Sequence, residues 1–367
     1  MVPAFFFAVL STSGAQAWER HETLMPGALV GLPESVQNLL QRRFPPPCGI
    51  TDNEVYARLA TELGLQPAAL VLPTSPEACA RRLDLSPRDI LLGPATDDPD
   101  LGMDRDLSAA FDPSGDRRTM GGETGPASQG FRHMYFGGWS PLKPLATFQV
   151  PPRAQGQAPE RAELIALKAR QLIRSGDVLW GFRVLGWAMH YVQDLSQPFH
   201  AAQIPNLRMV PWYVALRWPP REAYSDLVRE TTRSIANFHR GYEGYVLQRI
   251  REGNTSPFAD CLKNPAAYAT LTYDHRRQSP RELALEVSES SITRARETGA
   301  AVLELLGGHL RGPAFDLANG KGTLDFADLA IRPDLMNQRV RLEKVTCQSL
   351  AVAAMASQRL IGWAIAQ

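Results

Sequence analysis

Residues 177–200 read DVLWGFRVLGWAMHYVQDLSQPFH, a helical pattern with a set of polar side chains at its end. The pattern predicts a helix over 177–195, in which His190 and Asp194 share one face because residues four apart are neighbours on a helix. Pro198 stops the helix, since the residue before a proline is pushed out of helical geometry. The turn that follows can bring His200 back toward the same cavity. An imidazole and a carboxylate at this spacing can hold one metal ion, so the segment predicts a metalloenzyme.

A histidine and a carboxylate stand four residues apart a second time, at His239 and Glu243. They border the apolar stripe of a helix predicted over 221–251, so both side chains should face inward. An inward-facing carboxylate needs a charge partner, because an unpaired buried charge is costly, and zinc would provide it. Ordinary core histidines are a sufficient explanation for one such pair. Two pairs, with His200 following six residues after Asp194, favour a metal site.

The whole chain shows helical periodicity. It has 367 residues, of which 44% are hydrophobic, and this is ample for a sizeable core. Helices are predicted over about 21–42, 53–63, 76–84, 159–174, 177–195, 221–251, 279–306 and 338–365. Strand-like alternation is scarce, turn-rich segments occupy 93–130 and 140–158, and 307–337 looks irregular. We therefore predict an all-α fold with long loops, which usually serve function or are mobile.

The first seventeen residues, MVPAFFFAVLSTSGAQA, resemble a secretory signal peptide. An apolar core is followed by a small-x-small sequence that ends at Ala17, and the apolar run is too short to span a membrane. We expect an exported protein, secreted or periplasmic after cleavage behind Ala17. Cleavage would make Trp18 the first residue, and its free amine and carbonyl oxygen form a ready-made chelator with His21 nearby. The alternative is an ordinary mature terminus with a packed tryptophan.

Four cysteines occur without a CxxC pair, which argues against a cysteine zinc site. In an exported protein they permit two disulfides in three possible pairings. Proximity in the sequence alone favours Cys48 with Cys79 and Cys261 with Cys347. The net charge of +1 gives no sign of a polyanion-binding surface. This weakens a nucleic-acid function without excluding one.

Two loops contribute further candidate ligands. The sequence GPATDDPD, residues 93–100, clusters carboxylates after an apolar run, although solvated turns and calcium sites look alike at this level. The sequence FRHMYF, residues 131–136, places His133 in an aromatic setting. Each loop alone is a weak signal.

Together these elements resemble the zinc-dependent phospholipase C family, a superfamily that also includes the single-strand-specific nucleases of fungi and plants. The resemblance covers about residues 18–250, and the run HYVQDLSQPFHAAQ is its most specific part. It implies a phospholipase C-like catalytic domain over 18–306 around a trinuclear zinc site. A helical extension over 307–367 would pack on this core. The elements, in chain order, are Trp18, His21, the acidic loop, His133, His190, Asp194, His200, His239 and Glu243.

The first zinc ion implied by the resemblance would bind His133, His190 and Asp194 together with an aspartate of the acidic loop. For that aspartate we select Asp98, with Asp97 as the fallback. Asp98 would also touch the solvent of the site, and in this it resembles the carboxylate proposed as general base in the family. Asp98 is therefore the predicted catalytic residue.

The second zinc ion implied by the resemblance would bind the amine and carbonyl of Trp18 and the imidazole of His21. It would share the bridging carboxylate of Asp194 with the first ion. The third zinc ion would bind the last three residues of the pattern, His200, His239 and Glu243. Three zinc ions are thus the expected cofactors.

Such a cluster suits hydrolysis of a phosphodiester by a zinc-activated hydroxide. The motif and Glu243, which stands where the nucleases tend to carry aspartate, match the phospholipase side of the superfamily better. The segment 204–220 combines Trp and Tyr with Arg, which suits a membrane interface, although a cover packed on the core explains it as well. A phospholipid at a membrane surface is therefore the expected substrate.

Two alternatives remain open from the sequence. A single-strand-specific nuclease or 3'-nucleotidase would stack bases on aromatic side chains such as Tyr135, Phe136 and Trp139. A secreted helical protein with purely structural zinc would close every metal position with protein ligands. The sequence says nothing of the oligomeric state.

Overall fold

The computed structural model describes residues 18, 20–45, 52–63, 84–100, 132–135, 156–202, 220–317 and 320–366. These residues are mostly helical, and their extended pairing is limited to isolated bridges, so the all-α prediction is confirmed. The α-helices, in chain order, are α1 Met25–Val30, α2 Glu34–Gln41, α3 Asp52–Leu63, α4 Pro87–Leu92, α5 Ala158–Arg174, α6 Val178–Ser196, α7 Pro198–Ala201, α8 Pro220–Ile250, α9 Ala259–Lys263, α10 Pro280–Leu306, α11 Phe326–Ile331 and α12 Met336–Ile365.

Helix α6 is the centre of the fold. Every residue from Leu179 to Ser196 is buried, as expected for a helix that is apolar around most of its circumference. It packs against α5, α10 and α12 and also contacts the short helix α4. The predicted ligands His190 and Asp194, near its C-terminal end, are therefore buried.

The long helices begin and end close to the predicted positions, but the region 21–42 does not form one helix. A 3-10 turn covers His21–Leu24, and α1 and α2 follow as separate elements. The chain turns at Gly31 and Leu32 because Pro33 excludes helical geometry at the residue before it. The segment 307–337, predicted to be irregular, contains α11 and two 3-10 turns.

The C-terminal helix α12 packs along α10 and also contacts α6, α5 and α1. A disulfide between Cys261 in α9 and Cys347 in α12 joins it to the preceding part of the chain, so this predicted pairing is confirmed. Among the described residues, no helix has both the length and the apolarity that a membrane crossing requires.

Several predictions concern residues outside the described ranges. They are the signal peptide over 1–17, the helix over 76–84, the pairing of Cys48 with Cys79, the segment 204–219 and the aromatic residues Phe136 and Trp139.

Candidate metal centre

The end of α6, the residue that follows it and the short helix α7 bring four polar side chains into one buried region. They are those of His190, Asp194, Gln197 and His200. Asp194 lies one turn after His190 on α6, and α6 ends at Ser196. Pro198 ends α6 as predicted and also begins α7, because its fixed φ suits the first position of a helix. The side-chain oxygen of Gln197 accepts a hydrogen bond from the Phe199 amide at 3.0 Å, which caps α7 and positions His200.

A first group of possible metal ligands consists of Asp100, His133 and His190. His133 Nδ1 lies 2.8 Å from His190 Nε2 and 3.7 Å from Asp100 Oδ1. Asp194 Oδ2 approaches the same place, at 2.9 Å from His133 Nδ1 and 3.3 Å from His190 Nε2. Two imidazoles and two carboxylates thus surround one point.

A second group consists of His21, His190 and Asp194. His21 Nε2 and Asp194 Oδ1 are 3.2 Å apart, and both are buried atoms that make no hydrogen bond. An imidazole nitrogen and a carboxylate oxygen left in this way are costly inside a protein unless a cation or proton lies between them. The two oxygens of Asp194 therefore face two different groups, Oδ1 the second and Oδ2 the first.

Trp18 borders the second group through its indole ring. The indole N–H donates to the carbonyl oxygen of Gln193 at 3.0 Å and to Ser196 Oγ at 2.9 Å, both on α6. Trp18 and Arg20 have φ angles of 50° and 72°, a left-handed backbone that is unfavourable for bulky residues. The two indole hydrogen bonds help to hold this tight chain path beside His21.

A third group consists of His200, His239 and Glu243, which α7 and α8 bring together. The Nε2 atoms of His200 and His239 are 3.2 Å apart, and His239 Nε2 lies 2.8 Å from Glu243 Oε1. The Gln197 amide nitrogen is 2.8 Å from the same Glu243 oxygen. Phe199 stacks on the His239 ring with centroids 4.9 Å apart, which fixes the orientation of the imidazole.

Hydrogen bonds to carbonyl oxygens set which nitrogen of three histidines carries the proton. The Nδ1–H of His190 donates to the Thr96 backbone carbonyl at 2.7 Å, and that of His200 donates to the His133 carbonyl at 2.9 Å. His21 Nδ1 donates to the Gln193 side-chain oxygen at 2.9 Å. In each neutral ring the lone pair is left on Nε2, the atom that faces a group, and such outer hydrogen bonds are typical of metal-binding histidines.

Burial and neighbouring charges shift the pKa values of these residues strongly. Burial lowers the pKa of His200 to about 4 and that of His239 to about 3, so both rings are neutral at physiological pH, the form that binds metals. Burial opposes ionisation of Asp194, but His190 and His133 outweigh it and hold the Asp194 pKa well below its usual range. Burial alone would lower the pKa of His21. The adjacent Asp194 carboxylate outweighs burial, and the pKa of His21 is raised to about 9.

Asp98, the predicted ligand and catalytic residue, lies elsewhere. Its carboxylate accepts hydrogen bonds from Arg183 Nε at 2.9 Å and from the Trp187 indole at 2.7 Å, in a buried ion pair. Burial raises the pKa of Asp98, and Arg183 offsets part of the rise. Asp100 is the aspartate of this loop that belongs to the first group, so the structure brings Asp100, and not the predicted Asp98, to these possible ligands.

The fallback residue Asp97 also lies outside the three groups. Its Oδ1 is 3.4 Å from the backbone nitrogen of Glu22, and its Oδ2 is 3.8 Å from Arg20 Nε. Burial, together with a hydrogen bond shared with the Glu22 carboxyl, raises the pKa of Asp97 to about 8. This aspartate borders the second group without belonging to it.

The path of the acidic loop along α6 explains why Asp98 lies outside the first group and Asp100 inside it. A Cβ on Gly186 would lie 3.1 Å from the Ala95 Cβ, so this glycine allows the loop to approach the helix closely. Asp98 then meets Arg183 and Trp187, whereas the carboxylate of Asp100 reaches His190 Nε2, at 3.7 Å. Positions 183, 187, 190 and 194 form one stripe of α6. That stripe is the sequence signal that could have assigned Asp98 to Arg183.

Two glutamines that orient the ligands were not predicted. Gln193 directs its oxygen to His21 because its nitrogen donates to Ser357 Oγ at 2.9 Å and to Met25 Sδ at 3.4 Å. Gln197 contacts His239 and Glu243. Both lie in the run 190–200, between residues that were assigned as ligands.

Comparison of the chain with protein-family models, with curated proteins and with solved structures finds no match. Several groups of His, Asp and Glu in this structure are able to bind metal ions. Apart from Asp98, all predicted site residues lie in these groups or, as Trp18 does, directly beside one.

Proposed function

We propose that the chain is a zinc-dependent phosphodiesterase that hydrolyses phospholipids as a phospholipase C does. The observation that carries the proposal is the position of Asp194 between two groups. Its Oδ1 faces His21 at 3.2 Å, and its Oδ2 faces His133 and His190 at 2.9 and 3.3 Å. A carboxylate with its oxygens divided in this way is suited to bridge two ions a few ångströms apart, the arrangement that metal-dependent phosphodiesterases use.

The ligand types favour zinc. Imidazole nitrogens and carboxylate oxygens make up all three groups, and zinc commonly takes this combination. The third group offers one ligand atom from each of its three residues, as do catalytic zinc sites that keep a position for water or substrate. Bound zinc would supply hydroxide near neutral pH and neutralise charge that develops on a phosphate.

Asp100 takes over the role that the resemblance implied for Asp98. Its Oδ1 is 3.7 Å from both His133 Nδ1 and His190 Nε2, close enough to share an ion with them. Burial raises the pKa of Asp100, which brings this carboxyl closer to the range in which a group can accept a proton and later release it. Asp100 is therefore the proposed general base.

The preference for a phospholipid over single-stranded nucleic acid is supported by the resemblance of residues 190–202 and by Glu243. The nuclease alternative needs exposed aromatic rings on which bases can stack. Tyr135, one of the three aromatics considered for this purpose, is buried in the core that contains α5 and α6. Its backbone nitrogen also donates to the His200 carbonyl at 2.9 Å, so it supports the third group from inside the protein.

The proposal is tested on protein that begins at Trp18 and is purified without chelator. Zinc per chain is measured by elemental analysis, and hydrolysis of phosphatidylcholine vesicles is compared with that of single-stranded DNA. We expect about three zinc ions and release of phosphocholine from the vesicles. DNA cleavage alone would move the chain to the nuclease branch, and full zinc content without either activity would leave the metals a structural role.

A further inference from the structure

A second candidate site is a cleft of about 950 Å³ that shares no residue with the metal-ligating groups. It is lined by the turn between α1 and α2, by residues 263–266 at the end of α9, by residues 275–278 before α10 and by the end of α12. Arg170 from α5 completes it. The phosphodiesterase proposed above makes no use of this cleft.

The lining of the cleft is strongly basic. Among the described residues that line it there is no Asp or Glu, whereas the cations are Arg170, Lys263, Arg276, Arg277 and Arg359. The net charge of the whole chain is only +1, so this concentration of positive charge is local. A cleft of one sign attracts ligands of the other through the summed field of its walls.

Within the described ranges, most of these cations have no carboxylate partner. Arg277 is the one that pairs with an acid there, Asp274, at 3.7 Å, and Lys263 donates to the neutral amide of Asn254 at 2.9 Å. The side chains of Arg276 and Arg359 make no hydrogen bond or ion pair in the part of the chain that the structure describes.

Arg170, on α5, contacts the C-terminal end of α12 inside the cleft. Its guanidinium lies 4.7 Å from the centroid of the Trp363 ring and donates to the Ala366 carbonyl at 2.9 Å. The Nε of Arg170 is buried and makes no hydrogen bond. Burial, with the neighbouring charge of Arg174, lowers the pKa of Arg170.

The rest of the lining is largely apolar. Leu32, Val36, Met355, Trp363 and Ile365 contribute side chains to it. Apolar surface beside uncompensated arginines fits a ligand that carries a phosphate and hydrocarbon together, since guanidinium groups bind phosphate oxygens in a fork geometry. A small, fully hydrated anion would leave the apolar part of the lining unused.

We propose that this cleft binds the phosphate group of an anionic phospholipid. Arg276 and Arg359 contact the phosphate oxygens, and the acyl chain nearest the headgroup lies along the apolar lining. The cleft thus attaches the protein to anionic membranes independently of the metal centre.

The experiment measures cosedimentation of the full chain with vesicles of phosphatidylcholine alone and with an equal mixture of phosphatidylcholine and phosphatidylglycerol. The variant Arg276→Ala/Arg359→Ala removes two cations that hold no other part of the fold. The matched control, Arg251→Ala/Arg296→Ala, removes two exposed arginines outside the cleft and changes the net charge equally. We expect binding that phosphatidylglycerol strengthens and that weakens about thirtyfold in the cleft variant, from roughly 1 kcal/mol per cation, but not in the control.

A second titration with inorganic phosphate at constant ionic strength distinguishes the source of the phosphate. Calorimetric binding of inorganic phosphate that the cleft variant loses, without vesicle binding, would replace the lipid by a soluble ligand and overturn the proposal. If the cleft variant and the control lost vesicle binding equally, the binding would depend on overall charge alone, and the proposal would be overturned as well. His190→Ala should keep vesicle binding, so failure of the phosphodiesterase proposal would leave this one standing.

Discussion

Two buried aspartates along one stripe of α6, Asp98 on the acidic loop beside the helix and Asp194 on the helix itself, have opposite kinds of partner. Asp98 meets Arg183, a permanent cation, and its charge is neutralised by the protein itself. Asp194 meets imidazoles instead, those of His21, His133 and His190. Since a neutral imidazole cannot balance a buried carboxylate, Asp194 needs a proton on a histidine or a metal ion. The partner of a buried acid, rather than its burial, therefore distinguishes a carboxylate that the protein itself neutralises from one that needs a metal ion or a proton.

The comparison is tested most severely by Asp194→Asn, which keeps the shape of the side chain and removes its charge. We expect at least two zinc ions to bind poorly and hydrolysis to fall by about a thousandfold or more, because the metals contribute several kcal/mol to the transition state. His309→Ala is the control, since His309 belongs to none of the three groups. Equal zinc content and activity in the two variants would contradict the assignment of Asp194.

The opposite result is expected for Asp98→Asn. This change leaves the Arg183 guanidinium buried without its carboxylate and should cost about 3 kcal/mol of the free energy of unfolding. Zinc content per folded molecule should remain that of the wild type. Chemical unfolding and elemental analysis on one preparation check both expectations, and Asp98→Asn/Arg183→Met should recover part of the stability. If Asp98→Asn lost zinc while its free energy of unfolding stayed unchanged, Asp98 would be a metal ligand after all.

Without the metal, a proton on His21 should balance the charge of Asp194, and the stability of the protein should depend on it. In the metal-free protein the pKa of His21 is raised from 6.5 to about 9, so the folded state holds a proton that the unfolded state releases. This contribution is complete below about pH 6.5 and is lost as pH rises through about 9, and it amounts to about 3 kcal/mol. Urea unfolding of chelator-treated protein should show this loss between pH 6.5 and 9. Zinc-loaded protein should not, because zinc replaces the proton on His21.

The smallest effects are expected for the glutamines that orient the ligands. Gln193→Met removes the acceptor for His21 and should weaken zinc binding in the second group about 10–100-fold. Gln197→Met should act instead on the third group, through His239 and Glu243. Competition with a chromophoric chelator measures the affinities separately. Identical affinity profiles for the two variants would mean that the groups are not oriented independently.

The sequence predicted the long helices and the approach of the ligands well, because both follow from local periodicity. The i,i+4 spacing places His190 with Asp194 and His239 with Glu243 whatever the rest of the chain does. The break after α1 was missed, although Pro33 is a known signal for it. Loop positions carry no such period, so the sequence analysis selected Asp98, with Asp97 as the fallback, and the position of Arg183 on the same stripe of α6 as His190 was the one signal against Asp98.

Anomalous diffraction at the zinc edge, on crystals of protein that begins at Trp18, tests the bridging role of Asp194 most directly. We predict one peak between Asp194 Oδ1 and His21 Nε2, a second beside Asp194 Oδ2, His133 and His190, and a third at His200, His239 and Glu243. A single peak at Asp194, or peaks that leave either of its oxygens without a metal, would contradict the bridge.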